Sequence, residues 1–381
     1  MTPDFPPIRM APDGAPARED IRSFLDERLH GLAPVQRARS WSACDGAFSQ
    51  ALGAKGWIGV TWPERFGGTA SSHLVRYRIV EELLAAGAPV AAHWFADRQS
   101  GTMLLRYASE AQKADFLPKM AAGELYFCIG MSEPDSGSDL ASLRTRATLD
   151  GDVWRITGSK IWTSHAQDAH YMIALVRTSS DDADHRNGLS QFIIDLSSPG
   201  ITIRPIEDQM GDAQFCEVFF DDVKVPADML LGESGKGWAQ VNAELALERS
   251  GPERFLSSHV LIEETLNALS DTPSDVLMGL IGRWAADLWT LRQMSLAVAG
   301  KLERGDDPMI EASIVKDLGA QFEQSVSRDL QAAWDDGSIH DDDGELEATL
   351  TYLIGASPSF SLRGGTREIL RGIIARGIGL R

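Results

Sequence analysis

Phe127-Cys128-Ile129-Gly130-Met131-Ser132-Glu133-Pro134-Asp135-Ser136-Gly137-Ser138-Asp139 joins an apolar run to a hydroxyl-rich turn. Phe127 to Met131 suits a buried strand, and Pro134 ends it, because proline has no N–H for a sheet and restrains the residue before it. Beyond the proline, Ser132, Ser136 and Ser138 supply hydroxyls, and Gly137 allows close backbone approach. Successive N–H groups there can converge on one anionic or carbonyl-rich ligand. From these residues alone, a solvated serine-rich turn is the alternative reading.

Outward from this stretch, periodicity divides the chain in three. From about Glu19 to Gly123 apolar residues such as Ile21, Leu25, Leu29, Ile79, Leu83 and Leu84 recur at helical spacing. Breaks at Pro63, Gly67-Gly68 and Gly87-Ala88-Pro89 mark connections. Short runs then follow at strand spacing: Phe127–Met131, Val153–Ile156, Tyr171–Val176, Gln191–Ile194, Ile201–Ile203 and Cys216–Phe220. They predict an antiparallel barrel or sandwich, with Asp150-Gly151-Asp152 as a hairpin signal. From Gly237 the helical period returns. Ile310, Ile314, Leu318, Phe322, Val326 and Leu330 fall four apart, a stripe that core packing in a bundle helix explains. Asp341-Asp342-Asp343 reads as a solvated acidic loop rather than a metal site, since no further ligand spacing supports one. The expected fold is α+β and multidomain: an N-terminal helical domain (1–124), a middle antiparallel β-barrel or sandwich (125–233) and a C-terminal four-helix-bundle-like domain (234–381).

A chain of 381 residues exceeds the usual single core, and 43% hydrophobic residues suffice for a large interior. A formal charge of −19 argues against nucleic acid or an anionic membrane, because phosphate binding needs clustered cations. The three cysteines, Cys44, Cys128 and Cys216, show neither metal-ligand nor disulfide spacing, so reduced, buried thiols and a cytoplasmic location are expected, with no bound metal. No apolar stretch of ~18 residues and no basic-then-apolar leader is visible, so neither a membrane span nor an ordinary export signal is expected.

The order Glu133-Pro134 then Gly137-Ser138-Asp139 resembles the signature of the acyl-CoA dehydrogenase family. Trp62-Pro63-Glu64-Arg65-Phe66-Gly67-Gly68, Gly158-Ser159-Lys160-Ile161-Trp162-Thr163-Ser164, and Val218 to Pro226 with Leu231-Gly232-Glu233 resemble other family stretches in the same order. The resemblance implies the three-part fold above and dehydrogenation of an acyl-CoA thioester to a trans-2-enoyl-CoA with FAD as cofactor. It also implies an electron-transferring flavoprotein as acceptor and a tetramer. By the same resemblance Ile129, Met131, Ser132, Gly137, Ser138, Trp162, Thr163 and Ser164 contact the flavin. Trp162 covers a ring face, the Ser132 and Ser164 hydroxyls reach its polar edge, and Ser138 also meets the CoA portion. Thr366, Arg367 and Glu368 lie along its phosphates and adenosine side.

Such chemistry needs a carboxylate made more basic by burial, because the α-proton of a thioester is weakly acidic. Much of the family places a glutamate immediately before Gly-Thr near the C-terminus. Here that position, which borders the substrate, is Gly364, with no side chain. Relatives acting on branched or bulky chains place the base in an earlier Leu-x-x-Glu-Arg segment, which Leu245-Ala246-Leu247-Glu248-Arg249 matches. The resemblance therefore implies Glu248 as base and Arg249 as a cation orienting substrate. As plain residues they are a polar helix position four beyond Glu244 and a structural ion-pair partner. The family's Arg-x-x-Phe-Gly and Gln-Ile-x-Gly-Gly stretches for the ADP portion are not visible. In this the chain resembles heteromeric acyl-CoA dehydrogenases of steroid side-chain breakdown, whose two different chains complete each flavin site. A second dehydrogenase-like subunit is thus expected. A catalytically silent, site-completing scaffold is the alternative.

Overall fold

The computed structural model describes residues 2–10, 14–179, 184–241, 251–334 and 337–380. The chain folds as two compact units: Met1–Ala43 with Ser71–Pro89 and Glu248–Arg381, and Cys44–Ala70 with Val90–Leu247.

The second unit carries the expected β domain as an eight-stranded sheet: β1 (Phe127–Gly130), β2 (Arg146–Asp150), β3 (Val153–Ser164), β4 (Tyr171–Arg177), β5 (Leu189–Asp195), β6 (Ile201–Ile206), β7 (Phe215–Pro226) and β8 (Leu230–Leu231). The strand order is β6-β7-β3-β2-β4-β5-β8, with β1 paired to β4. Most neighbours are antiparallel, but β1 runs parallel to β4, and β2 meets β4 in parallel at one residue pair, Arg146 with Arg177. The long path from β1 through the β2–β3 hairpin to β4 permits this parallel pairing, which a tight turn could not. β2 and β3 pair from Asp150 with Val153, and Gly151, at φ +65°, takes the first turn position. β4 and β5 are buried along almost their whole length and read as continuous apolar runs, whereas β7 alternates. Trp154 and Phe192 pack edge to face in the core between them. β6, at the sheet edge, tolerates Pro205 because that position need not donate inward.

Helices of this unit support β1. Asp45 and Ser109 accept from Phe48 N and Gln112 N to cap Gly46–Ala54 and Glu110–Ala121. Phe116 from the latter packs edge-on against Phe127 and Tyr171, locking β1 to β4 from outside the sheet. Between Ala91–Phe95 and Gly101–Tyr107 lies a π-turn, Ala96–Ser100, with all five residues buried. Gly101 follows where a Cβ would sit 2.0 Å from the Trp62 ring. Gly68 is required as well, since a Cβ there would come within 2.2 Å of the Trp62 carbonyl.

The first unit contains the helices Arg18–Arg28, His73–Ala85, Asp275–Glu303, Met309–Ala333, Glu345–Ala356 and Arg367–Gly377. The predicted stripe on Met309–Ala333 needs correction. Phe322, Val326 and Leu330 are buried, but Leu318 is 43% exposed, and Ala312 and Val315 take the inward face instead. A row of residues four apart precesses by ~40° per step on a 3.6-residue helix, so it winds off any one face. The acidic loop has a structural role, since Asp341 accepts from Leu346 N and Glu347 N and so places negative charge at a helix N-terminus. On the His73–Ala85 helix, Glu81 and Glu82 are buried acceptors. Glu81 binds Arg18 (2.7 Å) and Arg292 (2.6 Å), and Glu82 binds Arg18 and Arg22. Glu81→Ala should cost about 3–5 kcal/mol in urea unfolding, because two arginines lose a desolvated partner.

Candidate functional site

β1 ends at Gly130, where a Cβ would lie 2.4 Å from the Met172 sulfur, so the chain can pass only without a side chain. The following turn is closed by reciprocal backbone bonds, Glu133 N to Ser136 O (2.9 Å) and Ser136 N to Glu133 O (3.0 Å), with Pro134 and Asp135 at its tip. Its inner side is charged. The buried Glu133 carboxylate accepts from Arg144 N (2.6 Å), Thr145 N (2.9 Å) and Lys160 Nζ (2.8 Å). Lys160 Nζ also donates to Met131 O (3.0 Å), and Ile161 N donates to Ser132 O (2.9 Å), which stitches β3 to the turn. Burial pushes the Lys160 ammonium down to about 8, against the pull of Glu133. Burial raises the Glu133 carboxyl, but the Lys160 charge and the donors around it outweigh this and hold it below the usual carboxylate range.

β3 then breaks register with β7 between Lys160 and Thr163. Within that bulge Trp162 takes φ +58°, a region β-carbon sterics disfavour, and it is 58% exposed. Phe215 supports it edge-on at 6.1 Å. Strain and exposure together mark an aromatic held out for contact rather than packed away. Beside it, Thr163 Oγ1 is buried and without a hydrogen-bond partner, and Ser136 Oγ in the turn is likewise buried and unpartnered. Ile129, Met131, Ser132 and Ser164 are half-buried, while Gly137 and Ser138 are exposed. A Cβ at Gly137 would meet nothing within 4 Å, so the open approach read from the sequence exists there. An exposed indole face flanked by unsatisfied hydroxyls fits a planar ligand with a polar edge, which is the description of a flavin.

In the other unit, Gly364 and Gly365 take φ +65° and +99°, conformations that favour glycine. Lys316 Nζ donates to Gly365 O (3.1 Å), and the Arg363 guanidinium lies between the Trp41 and Phe360 rings, 4.1 and 4.2 Å from their centroids. Thr366 caps the Arg367–Gly377 helix by backbone conformation alone. Arg367 binds Asp317 (2.7 Å) and lines a cleft of about 450 Å³ with Gln321, Gln324, Ser325 and Arg328. Glu368 is exposed and Gly364 half-buried, and neither lines that cleft. Glu248 and Arg249 lie outside the described residues.

Two features escaped sequence reasoning. Lys160 and Glu133 form the buried pair beneath the turn, and the signal available was a lysine inside an otherwise strand-like run. Cys128 and Cys216 are buried as expected, but Cys44 is exposed, and its sulfur shares a cluster with His165 and Asp168, one ligand atom from each lying within 4.8 Å of the others. The chain spacing, with Cys44 far upstream of His165, concealed it.

Models of the acyl-CoA dehydrogenase N-terminal, middle and C-terminal domains match residues 14–124, 128–223 and 235–379. The chain is 34% identical over 379 residues to acyl-CoA dehydrogenase IpdE1 of Mycobacterium tuberculosis, covering 94% of this chain and 95% of that protein. Its fold matches the Tcur3481-Tcur3483 steroid ACAD at a TM-score of 0.85 and 27% identity, over 96% of each chain. It matches the ChsE4-ChsE5 complex of Mycobacterium tuberculosis at 0.81 and 27% identity, over 98% of this chain and 100% of that one. Among the described residues no helix is long and apolar enough to cross a membrane.

Thr163→Val should leave the melting temperature of the flavin-free protein unchanged or raised, since an unsatisfied hydroxyl is removed, yet weaken flavin binding about tenfold, ~1.4 kcal/mol, in a fluorescence titration. The lowered Glu133 carboxyl contributes stability that is present above its unfolded value of about 4.3 and is lost as pH falls through the folded one. Thermal melts of the parent chain and Glu133→Gln should therefore differ at about pH 6 and converge in more acidic buffer.

Proposed function

The chain belongs to the acyl-CoA dehydrogenase family of flavin enzymes, and from that premise we propose that it carries out FAD-dependent α,β-dehydrogenation of a bulky or branched acyl-CoA, giving the trans-2-enoyl-CoA. The observation that carries this reading is Trp162, thrust outward by the β3 bulge beside the orphaned hydroxyls of Thr163 and Ser136. The cofactor contacts are Ile129, Met131, Ser132, Gly137, Ser138 and Trp162 to Ser164, with Thr366, Arg367 and Glu368 toward its phosphate and adenosine end. FAD, when bound, supplies the acceptor for the β-hydride. What falls to the chain's own residues is to hold the thioester, exclude water and remove the α-proton, so that substrate loses one proton and one hydride and gains a C=C bond.

Glu248 is the proposed base and Arg249 its neighbouring cation. Gly364 supports this, since the position that bears a carboxylate in much of the family has none here, and its missing side chain leaves room for a wide acyl group. The similar structures include a steroid ACAD and a two-component complex, which supports a bulky substrate and a tetramer shared with a second dehydrogenase-like subunit. An electron-transferring flavoprotein is the proposed acceptor, the cytoplasm the proposed location, and 1–124, 125–233 and 234–381 the proposed domains. Gly364 also favours one other reading, a catalytically silent subunit that completes a partner's flavin site.

Glu248→Gln should lower kcat with the preferred acyl-CoA by about 10²–10⁴-fold while the flavin absorbance stays. Unchanged turnover would remove Glu248 as base and favour the silent-subunit reading. A flavin-loaded, active homotetramer from expression of this chain alone would remove the need for a second subunit.

A further inference from the structure

Met131 and Ser132 leave β1 with their carbonyls both taken by β3, through Lys160 Nζ and Ile161 N. Glu133, the next residue, binds the same ammonium and two backbone N–H groups on the approach to β2. One fully buried ammonium therefore ties together the hydroxyl-bearing turn, the 144–145 segment and the strand that ends in Trp162, Thr163 and Ser164. Lys160 is also the last residue in register with β7 before the bulge, so its position sets where the strained Trp162 emerges.

We propose that Lys160 is the positioning residue of the flavin site: clamped between Met131 O and Glu133, it makes the turn carrying Ser132, Ser136 and Ser138 and the bulge carrying Trp162 and Thr163 one rigid cradle. The inference rests on the flavin reading of this site. Stability alone gives little reason for such a pair, because apolar replacements of buried ion pairs are often neutral or stabilising. Its value lies in geometry. Each oxygen of the turn that β3 engages is held by a directed bond, and an apolar side chain of equal volume would fill the space without fixing the turn's register.

The test compares the parent chain, Lys160→Met, Glu133→Gln and the double variant, each in the assembly in which the parent holds FAD. Thermal melts establish folding, FAD titration gives affinity, and the flavin absorbance band with quenching of Trp162 fluorescence reports ring placement. The expected result is a melting temperature for the double variant close to that of the parent, with FAD affinity at least tenfold weaker and reduced indole quenching. If Lys160→Met fails to fold, Glu133→Gln carries the same expectation. Folded variants that bind FAD as tightly as the parent, with the same band and quenching, overturn the positioning role and leave the flavin reading intact. A parent chain that binds no flavin in any assembly overturns both.

Discussion

An ammonium with no exposure to water, paired to one carboxylate, is the constraint around which the β domain is arranged. Charge cannot be left bare in a low-dielectric interior, so Lys160 dictates that Glu133 turn inward. Glu133 in turn has oxygens to spare and draws in the N–H groups of Arg144 and Thr145, which set the start of the path into β2. From one electrostatic necessity follow the closure of the turn after β1, the entry of the β2–β3 hairpin and the bulge in β3. Such a network specifies one arrangement because any slip of register leaves a charged or hydrogen-bonding group stranded.

Much of this was legible in the sequence, where hydrophobic pattern and side-chain type act locally. Phe127–Gly130, Tyr171–Arg177 and Leu189–Asp195 form near-continuous apolar runs, and Asp150-Gly151-Asp152 announces its own hairpin. β2 was invisible because Arg-Ala-Thr-Leu-Asp buries only Ala147 and owes its strand state to its partner β3. The long C-terminal helix was legible in extent but not in orientation. The serine-glycine turn was readable as a ligand cradle because its order is distinctive. Lys160 was not, because burial of a lysine depends on a glutamate that the chain supplies twenty-seven residues earlier. Cys44, His165 and Asp168 illustrate the same limit, since only the folded chain brings them together.

Gly364 shows how one missing side chain shifts the source of the chemistry. Its φ of +65° suits glycine, and Gly365 beside it is more extreme at +99°, so the turn is built for flexibility of placement rather than for projecting a functional group. Lys316 and Arg363 brace the turn from either side, the former through a carbonyl and the latter between two aromatic rings. The bracing shows a backbone held in a defined shape, which is what a substrate-bordering wall requires when it contributes no chemistry of its own.

The π-turn at Ala96–Ser100 makes the neighbouring helix sensitive to residue count. A π-turn amounts to one residue more than an α-helical turn would hold, and each residue advances a helix by ~100°. Deleting a single residue there would let the segment relax to ordinary helix while swinging everything after it round the axis. Gly101 would leave its seat against Trp62, and a bulkier residue would arrive at a place that admits no β-carbon. Insertions and deletions are therefore tolerated far less in this stretch than substitutions, and the chain's evolutionary freedom there is a matter of length before it is a matter of chemistry.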